Sequence, residues 1–319
     1  MKGRNFDVLA IGELNVDLIF TGLKQAPALN REIAAEKYSR ALGSSTALCG
    51  ANLAKLGLGV AFCTKVGDDE NGHYVVDELQ KRGIDTTHCK IDPASETGVT
   101  LALNWNRDRA LVTVMGTIST FSLADFDIEI LRSARHIHVG SFFLQEALRK
   151  DLPLIFEKAH EWGITTSLDS GWDDTGVWDY GIKDTLKNTS LFFPNETEAL
   201  HITGASSCED AAKELSGLCK TIVIKRGNKG AYALSGNSWY SVDVMADIPV
   251  VDTTGAGDSF NAGFLYAFLK GLPLTRCIEY GNACGSISVM TIGGANADLN
   301  EDKVKALIGS HLRAESGNC

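Results

Sequence analysis

Asp252-Thr-Thr-Gly-Ala-Gly-Asp-Ser-Phe-Asn-Ala-Gly-Phe264 is the most informative stretch of this 319-residue chain. The apolar residues 248–251 before it predict a strand. Apolar residues at helical spacing after it predict a helix that ends near Gly271. The small residues between them form a turn at the start of that helix. Such a turn points backbone N–H groups outward at the positive end of the helix dipole, which favours binding of an anion.

Asp258 places a carboxylate inside this predicted anion site, which is electrostatically unfavourable. The arrangement has a purpose if the carboxylate takes a proton from a hydroxyl group that attacks a phosphate. The alternative is a plain strand–turn–helix unit, because aspartate is common at helix starts in any protein. Residues 255–258 alone leave both interpretations open, since short glycine motifs have many false positives.

The composition restricts the kind of protein. With 44% hydrophobic and 22% charged residues, the chain can form one large α/β domain or two smaller ones. A net charge of −10 argues against nucleic acid or an anionic membrane as the main partner. We find no apolar run long enough to span a bilayer and no targeting signal. The eight cysteines include no Cys-x-x-Cys pair and no zinc spacing, so we expect a reducing, cytoplasmic setting.

The N-terminal region contains a second candidate site. Residues 7–12 are an apolar run that ends in glycine and predicts a buried parallel strand. Glu13, Asn15 and Asp17 then alternate with apolar residues, so they share one face beyond the strand, where open α/β sheets bind ligands. A half-exposed strand with ordinary polar residues is the alternative.

A turn of small residues at 43–46 enters the next predicted helix. Gly43 and Ser44 lie in this turn. From the residues alone, the pattern indicates a core helix that is capped by Ser44 or Ser45, because serine is a preferred N-cap residue.

The middle of the chain predicts a hairpin and then a parallel arrangement. Residues 97–105 and 110–115 are rich in β-forming residues and are joined by the polar bend 106–109. From residue 134 the pattern becomes strand–helix–strand. His136 and His138 alternate on the first of these strands, but a pair without a third ligand favours ordinary strand packing over a metal site.

Two further motifs precede the glycine-rich stretch. Asn195 and Glu198 have the spacing of a capping box, in which the two side chains satisfy the start of a helix. Residues 221–225 predict a buried strand, and the turn 227–230 with a glycine at each end follows it. From the residues alone, this turn can be an ordinary bend whose backbone conformation needs glycine. A long helix is predicted over 279–291.

These motifs occur in the order found in the ribokinase-like (PfkB) family of carbohydrate kinases, and nearly the whole chain resembles that family. The stretch 252–264 is similar to the second signature of the family, position for position. The resemblance implies a single ribokinase-like α/β domain over residues 1–319, with a mostly parallel central sheet and helices on both faces. It also implies a small β-sheet lid formed by about residues 15–41 and 95–116.

The resemblance implies ATP-dependent phosphorylation of a sugar hydroxyl, as in fructokinases and ribokinases. Asp258 is implied as the catalytic base, and the backbone amides of Gly255, Ala256 and Gly257 as the groups that neutralise the transferring phosphoryl group. The implied sugar-binding residues are Asn15, Asp17, Gly43 and Ser44. The implied nucleotide-binding residues are Asn195, Lys225, Gly227, Gly230 and Asn282.

Two kinds of metal ion are implied in the same way. Asn195 and Glu198 would order Mg²⁺ through water near the nucleotide phosphates. Asp252 and Thr254, together with the loop 293–295, would help to hold a monovalent cation such as K⁺.

The chain departs from the family pattern around the expected sugar site. Ser44 replaces the second of two glycines, and Leu48 stands where the family has an asparagine. Asn52, about one helical turn further on, is the nearest substitute. After the strand that ends at Asp169, the chain lacks the Asp-Pro-Asn and the arginine that many sugar kinases of the family have.

Two other functions share part of this pattern. A nucleoside kinase of the same fold would need aromatic residues in the lid, for which Trp105 and Phe20 are available. A non-catalytic sugar-sensing protein would be signalled by loss of Asp258 or of its neighbouring glycines, which are present. A Rossmann dehydrogenase is excluded, because residues 12–17 do not supply Gly-x-Gly-x-x-Gly.

We therefore expect a small-molecule sugar as the partner, and neither nucleic acid nor a membrane. A small lid sheet has an exposed hydrophobic face, which favours closure over a ligand or pairing of two copies in a homodimer. The motifs do not identify the sugar, because fructose, ribose and 2-keto-3-deoxygluconate kinases share most of them.

Overall fold

The strands form one large sheet, whose inner strands are mostly buried and whose edge strands are more exposed, and one small sheet. The computed structural model describes residues 4–105, 108–245, 248–291, 293–294 and 298–316. The strands are β1 (Phe6–Ile11), β2 (Asn15–Leu23), β3 (Lys37–Leu42), β4 (Val60–Gly67), β5 (Asp85–Asp92), β6 (Gly98–Trp105), β7 (Asp108–Val114), β8 (Ala134–Val139), β9 (Thr165–Leu168), β10 (Leu191–Phe192), β11 (Thr221–Lys225), β12 (Ala231–Ser235) and β13 (Ser238–Val242).

Helices connect most of these strands. The α-helices are α1 (Ser45–Lys55), α2 (Glu70–Lys81), α3 (Thr117–Thr120), α4 (Leu148–Glu161), α5 (Ile182–Leu186), α6 (Glu196–Thr203), α7 (Cys208–Ser216), α8 (Ala256–Leu269), α9 (Leu274–Ser288) and α10 (Glu301–Ser316). Short 3₁₀ turns occur at Leu123–Asp125, Ile128–Ser133, Phe142–Leu144 and Gly227–Lys229. Among the helices of the described ranges, none is long and apolar enough to cross a membrane.

The large sheet has the strand order β13-β12-β11-β10-β9-β8-β1-β4-β5. All neighbouring pairs are parallel except β11–β12 and β12–β13, which are antiparallel. Along β1, Val8 and Ala10 belong to a buried cluster with α1, α8 and α9, whereas Leu9 and Ile11 belong to a second cluster with α4, α5 and α7. Helices therefore cover both faces, and the predicted α/β fold class is confirmed.

The small sheet has the order β3-β2-β6-β7 and contains both predicted β segments. Strands β6 and β7 form the predicted antiparallel hairpin, and β2 pairs with β6 in parallel. The bend residues Asn106 and Arg107 lie outside the described residues. The register places Asp17, Thr100 and Thr113 on one face of this sheet, and Leu18, Leu101 and Val112 on the other.

The strand predicted at residues 248–251 is wrong. The described part of this segment has no strand, and Val250 and Val251 are 65% and 59% exposed. The backbone N–H groups of Val251 and Asp252 donate to the Val289 carbonyl at the end of α9, at 2.7 and 3.2 Å. Ile248 and Val250 instead line a cavity, so their apolar character belongs to a binding surface and not to a sheet core.

The long helix predicted at 279–291 begins earlier than expected. Helix α9 starts at Leu274, and Pro273 is its N-cap residue. Cys277 and Ile278 are fully buried, so the first turn of the helix is held by core packing. Proline suits this boundary because its fixed φ angle and missing N–H group cost nothing at a helix start.

The two histidines of β8 pack inside the sheet, as expected. His136 lies within hydrogen-bond distance of the Thr165 and Ser167 hydroxyls (2.7 Å each), and His138 contacts Ser167 at 2.8 Å. Burial lowers the pKa of His136 to about 3 and that of His138 to about 4, so both are neutral. In the described ranges no group of three or more His, Cys, Asp or Glu side chains could hold a metal ion.

Candidate active site

The candidate site lies where the carboxyl ends of parallel strands meet the N-termini of two helices. Glu13 and Asp169 follow the ends of β1 and β9, and Lys225 is the last residue of β11, so all three lie at this edge. Helices α1 and α8 begin beside them, at Ser45 and Ala256. Open α/β sheets bind ligands at such an edge. Helix N-termini add unpaired N–H groups and positive potential there.

Asp258 lies in the first turn of α8 and faces the start of α1. Its Oδ1 atom accepts a short hydrogen bond from the Ser45 hydroxyl. Burial, and then the negative charge of Asp169, raise the pKa of Asp258 to about 7, although the Ser45 hydrogen bond and the Lys225 charge oppose this rise. A carboxylate with this pKa exchanges protons near neutral pH.

The geometry of the turn before Asp258 requires glycine at position 255. Gly255 is the N-cap residue of α8 and has φ = 73°, a left-handed conformation that favours glycine. A Cβ atom at Gly255 would also lie 2.6 Å from the Gly294 Cα atom. A Cβ atom at Gly257 would lie 3.4 Å from the Lys225 amine, so this turn stands directly beside a cation.

Lys225 and Asp169 form a buried ion pair at the centre of the site. The Lys225 Nζ atom lies 2.5 Å from Asp169 Oδ2, which also accepts a hydrogen bond from Asn261 Nδ2 at 2.6 Å. Burial opposes ionisation of Asp169, but the charge and hydrogen bond of Lys225 bring its pKa below the usual value. For Lys225, burial is outweighed by Asp169 and Glu198, so its pKa is raised.

Sequence reasoning assigned no role to Asp169 or Asn261. Asp169 stands at the end of a predicted strand on the ligand-binding edge, which is the signal that could have identified it. Asn261 gives no such signal, because it lies inside α8 and meets Asp169 only through a contact across 92 positions of the chain.

Asn195 and Glu198 form the predicted capping box at the start of α6. The Asn195 backbone N–H donates to Glu198 Oε2 at 2.8 Å, and the Glu198 N–H donates to Asn195 Oδ1 at 2.9 Å. Ser170 also donates to Glu198 Oε2, at 2.9 Å. Burial, and then the negative charge of Asp169, raise the pKa of Glu198 to about 7. Hard carboxylate and amide oxygens beside excess negative charge fit Mg²⁺ bound through water.

The predicted sugar-binding residues lie together at the root of the small sheet. Asn15 Nδ2 donates to Asp17 Oδ1 at 3.0 Å and to the Thr100 hydroxyl at 3.1 Å. A Cβ atom at Gly43 would lie 2.1 Å from Asp17 Oδ1 and 2.4 Å from Asn15 Nδ2. Glycine is therefore needed at position 43. Burial raises the pKa of Asp17 to about 6, against the hydrogen bond from Asn15 and the nearby charge of Arg109.

Ser44 is the N-cap residue of α1, one of the two alternatives that the sequence left open. Its hydroxyl accepts a hydrogen bond from the Ala47 N–H at 3.0 Å and donates to the Glu13 carbonyl at 2.6 Å. Its φ of 80° is a left-handed conformation that glycine would adopt more easily. The serine hydroxyl thus joins the helix start to the segment after β1.

Asn52 is not a substitute for the asparagine that Leu48 replaces. It is fully buried, and its Nδ2 atom donates to the Ser259 hydroxyl at 2.9 Å. This hydrogen bond joins α1 to α8 below the site. Leu48 packs against the glycine turn, since a Cβ atom at Gly255 would lie 3.1 Å from its Cδ1 atom.

Glu13 is a further buried acid that sequence reasoning left without a specific role. Its carboxylate accepts hydrogen bonds from the Thr46 hydroxyl at 2.7 Å and from the Thr46 N–H at 3.2 Å. Burial raises the pKa of Glu13 to about 7. The side chain ties the first turn of α1 to β1 and adds negative potential near Asp258.

A cavity of about 470 Å³ opens beside Lys225 and Gly257. Its walls are mostly apolar side chains from the segment after β13 and from α8 and α9: Met245, Ile248, Val250, Phe260 and Val289. Gly227, Gly230 and Asn282 also line it. Asn282 Nδ2 donates to the Val242 and Asp243 carbonyls, at 3.1 Å each. An apolar slot with a lysine and a glycine turn at one end fits a nucleotide, whose base is flat and whose phosphates are anionic.

The Asp252 side chain stabilises the loop that precedes the turn at Gly255. Its carboxylate accepts hydrogen bonds from the Thr254 N–H (2.9 Å) and hydroxyl (2.7 Å) and from the Gly293 N–H (3.0 Å). Arg109 of the small sheet donates to the same Thr254 hydroxyl, at 2.7 Å. Ala295, the last residue of the predicted cation loop, lies outside the described residues.

Comparison with known proteins identifies the family. The model of the pfkB family carbohydrate kinases matches residues 5–301. A sugar kinase of unassigned specificity from Archaeoglobus fulgidus is 30% identical over 239 residues, which cover 72% of this chain and 91% of that protein. The 5-dehydro-2-deoxygluconokinase of Geobacillus thermodenitrificans is 25% identical over 324 residues, covering 97% of this chain and 94% of that enzyme.

A solved structure shows the same fold. An E. coli protein assigned as a ribokinase II, in complex with ATP and Mg²⁺, superposes with a TM-score of 0.82 at 24% identity. The match covers 96% of this chain and 100% of that one. The family match extends over nearly the whole chain and agrees with the parallel sheet, the glycine turn and the small second sheet. The chain belongs to the pfkB family of carbohydrate kinases, which are sugar kinases that use ATP.

Proposed function

We propose that this protein transfers the γ-phosphate of ATP to a hydroxyl group of a small sugar, with Asp258 as the catalytic base. The observation that carries the proposal is the position of Asp258. Its carboxylate lies at the N-terminus of α8, near Lys225 and one residue from the Gly257 wall of the nucleotide-sized cavity. One of its oxygens is held by Ser45, so the other is available to a substrate.

The protonation behaviour of Asp258 suits this role. A general base works best when its pKa lies near the working pH, because it is then ionised and still accepts a proton. Burial and the neighbouring Asp169 raise the pKa of Asp258 to about 7. The base would take the proton of the attacking sugar hydroxyl as the new oxygen–phosphorus bond forms.

The groups around the base would stabilise the transferring phosphoryl group. The backbone amides of Gly255, Ala256 and Gly257 lie at the positive end of α8 and have no acceptor inside the helix. The Ala256 N–H donates to the Thr253 carbonyl at 3.3 Å, a long hydrogen bond that a phosphoryl oxygen would have to replace. Lys225 stands beside this turn and adds a full positive charge. Fixed donors of this kind need no rearrangement when charge develops, which is the main source of electrostatic catalysis.

ATP and Mg²⁺ are the cofactors of the proposal. The nucleotide would occupy the cavity beside Lys225, with Gly227, Gly230 and Asn282 along its walls and Asn195 near its phosphates. Glu198 and Asn195 would hold Mg²⁺ through water, and the ion would neutralise charge on the phosphates. A monovalent cation such as K⁺ is proposed beside the Asp252–Thr254 loop. Because donors already occupy the Asp252 carboxylate, backbone carbonyls would be its ligands.

The sugar would bind under the small sheet. Asn15, Asp17, Gly43 and Ser44 would contact its hydroxyls, since Asp17 and Thr100 occupy one face of that sheet. We propose that residues 15–41 and 95–116 act as a lid within a single domain. Arg109 links this sheet to the Thr254 loop and would favour a closed site. A closed lid excludes water, which would otherwise accept the phosphoryl group.

A nucleoside acceptor is less favoured. Phe20 lies on the opposite face of the small sheet from Asp17 and packs against Tyr38 with ring centroids 5.3 Å apart. It therefore cannot stack on a base held by Asp17. The sugar-sensing alternative would need no base, so it does not account for the position of Asp258.

The proposal is tested by sugar-dependent release of ADP in the presence of Mg²⁺. The panel comprises hexoses, pentoses, keto-sugar acids and nucleosides, each with K⁺ and with Na⁺ as the salt. We expect strong release with one class of sugar and faster turnover in K⁺. Asp258→Asn should bind ATP normally but lose turnover by about 10²- to 10⁴-fold, the usual contribution of a general base.

Turnover of Asp258→Asn near that of wild type would remove Asp258 as the base. No release with any acceptor, while calorimetry shows ATP binding, would favour the sensing alternative. Equal rates in K⁺ and Na⁺ would remove the monovalent cation from the proposal.

Gly43→Ala tests the placement of the sugar site. The added Cβ atom would displace both Asn15 and Asp17, so the KM for the sugar should rise about tenfold or more while the KM for ATP changes little. The matched control is Gly59→Ala, whose Cβ atom would have its nearest neighbour at 3.7 Å. Steady-state kinetics, with the sugar and then ATP as the varied substrate, give the two KM values. An unchanged KM for the sugar in Gly43→Ala would place the sugar elsewhere.

We also propose that the outer face of the small sheet pairs two copies of this chain. Val112 and Val114 lie two residues apart on the edge strand β7, so they share this face, and each is 60% exposed. Analytical ultracentrifugation should give twice the chain mass for wild type, and Val112→Glu should shift the protein toward the monomer. A monomer at all accessible concentrations of wild type would contradict this pairing.

A further inference from the structure

Ser45 gives the carboxylate of Asp258 its only hydrogen bond from the residues that the structure describes. The Ser45 hydroxyl donates to Oδ1, and no described donor reaches Oδ2. The two oxygens of the proposed base are therefore not equivalent. One is held by the protein, which under the proposed function leaves the other for a substrate hydroxyl.

The position of Ser45 is fixed from both sides along the chain. Ser44 caps α1 and is hydrogen-bonded to the Glu13 carbonyl. Thr46 is held by two hydrogen bonds to the Glu13 carboxylate, at 2.7 and 3.2 Å. A Cβ atom at Gly140 would lie 2.9 Å from Ser45 Oγ, so the end of β8 also limits where the hydroxyl can go.

The two helices that carry Ser45 and Asp258 are locked together below this contact. Asn52 of α1 donates to the Ser259 hydroxyl of α8 at 2.9 Å. Leu48, one turn closer to the site, packs against the Gly255 turn. Helix packing therefore sets the separation between Ser45 and Asp258. At this separation the Ser45 hydroxyl donates a hydrogen bond to the Asp258 carboxylate.

On the basis of the proposed function, we propose that Ser45 is the positioning residue of the base. Its hydroxyl fixes the plane of the Asp258 carboxylate, directs Oδ2 toward the attacking sugar hydroxyl and stabilises the ionised form. As the sugar oxygen bonds to the γ-phosphorus, the bond from that phosphorus to the leaving ADP oxygen breaks. The sugar proton goes to Oδ2, and Ser45 keeps its own proton.

The electrostatic surroundings make such a donor necessary. Asp169 from the end of β9 and Glu13 after β1 add negative potential at Asp258, whereas Lys225 from the end of β11 adds positive potential. The Cys49 thiol on α1 is neutral, because burial raises its pKa. A hydrogen bond to the charged form favours that form, so Ser45 works with Lys225 against burial and against the two acids.

Ser45→Ala tests the inference without knowledge of the sugar. We would label the aspartate carboxyl carbons with ¹³C and follow their NMR shifts with pH, using Asp258→Asn to identify the Asp258 resonance. In wild type the midpoint should lie near 7. Loss of the hydroxyl removes a stabilising donor from the charged form, so in Ser45→Ala the midpoint should rise by about one pH unit. Ser45→Thr, which restores a hydroxyl, should bring it back toward wild type.

Ser207→Ala is the matched control. Ser207 is the N-cap residue of α7, and its hydroxyl donates to Asp210 Oδ2 at 2.7 Å, the same kind of contact far from the site. This variant should leave the Asp258 midpoint unchanged. A midpoint in folded Ser45→Ala equal to that of wild type would overturn the inference.

This failure is distinct from failure of the proposed function. If Asp258→Asn loses turnover and Ser45→Ala titrates as wild type does, only the role of Ser45 is wrong. If Asp258→Asn keeps turnover, the base itself is wrong, whatever the titration shows.

Discussion

The buried ion pair between Asp169 and Lys225 is the interaction on which the candidate site depends. In the part of the chain that the structure describes, Lys225 is the only lysine or arginine bonded to the carboxylates at the centre of this site. Removing one partner of such a pair typically costs about 3–5 kcal/mol, because a charge is left buried and uncompensated. Lys225 therefore holds Asp169 ionised, while Asp258, Glu198 and Glu13 remain without a direct cationic partner.

The raised pKa values of these three acids follow from that arrangement. Burial disfavours their charged forms, and the fixed charge of Asp169 adds to the effect at Asp258 and Glu198. A site with this excess of acids is poised to accept protons near pH 7 and to attract cations. The same charge would repel ATP unless local donors offset it. The N-terminus of α8 and the Lys225 amine would supply those donors, and Mg²⁺ fits the acids near Glu198.

The fold brings these groups together from distant parts of the chain. Parallel strands place the ends of β1, β9 and β11 on one edge of the sheet. Helix α8 packs Phe264 fully buried against Phe193, with ring centroids 5.2 Å apart, which anchors the turn that carries Asp258. In the described residues the small sheet shares no strand with the large sheet.

Local sequence signals predicted the elements well and the contacts poorly. The glycine turn at Gly255, the start of α8, a cap at Ser44 or Ser45 and the β6–β7 hairpin follow from patterns within a few residues. The small sheet as a whole was expected only from the family resemblance, because β2 pairs with β6 from a distant part of the chain. Residues 248–251 were assigned to a strand because an apolar run has the same appearance whether it enters a sheet or lines a cavity. The Ser45–Asp258 and Asn261–Asp169 contacts span 213 and 92 positions, and no local pattern encodes them.

The central claim is that burial and neighbouring charges tune Asp258 to act as a base at neutral pH. The most direct measurement is the rate of phosphoryl transfer in a single turnover, followed by rapid quench from pH 5 to 9 with the best acceptor. Because the base must be ionised, the rate should be low in acid and reach half of its maximum near pH 7. A rate that is already maximal at pH 5 would contradict the account, since the base would then have the pKa of an ordinary exposed aspartate.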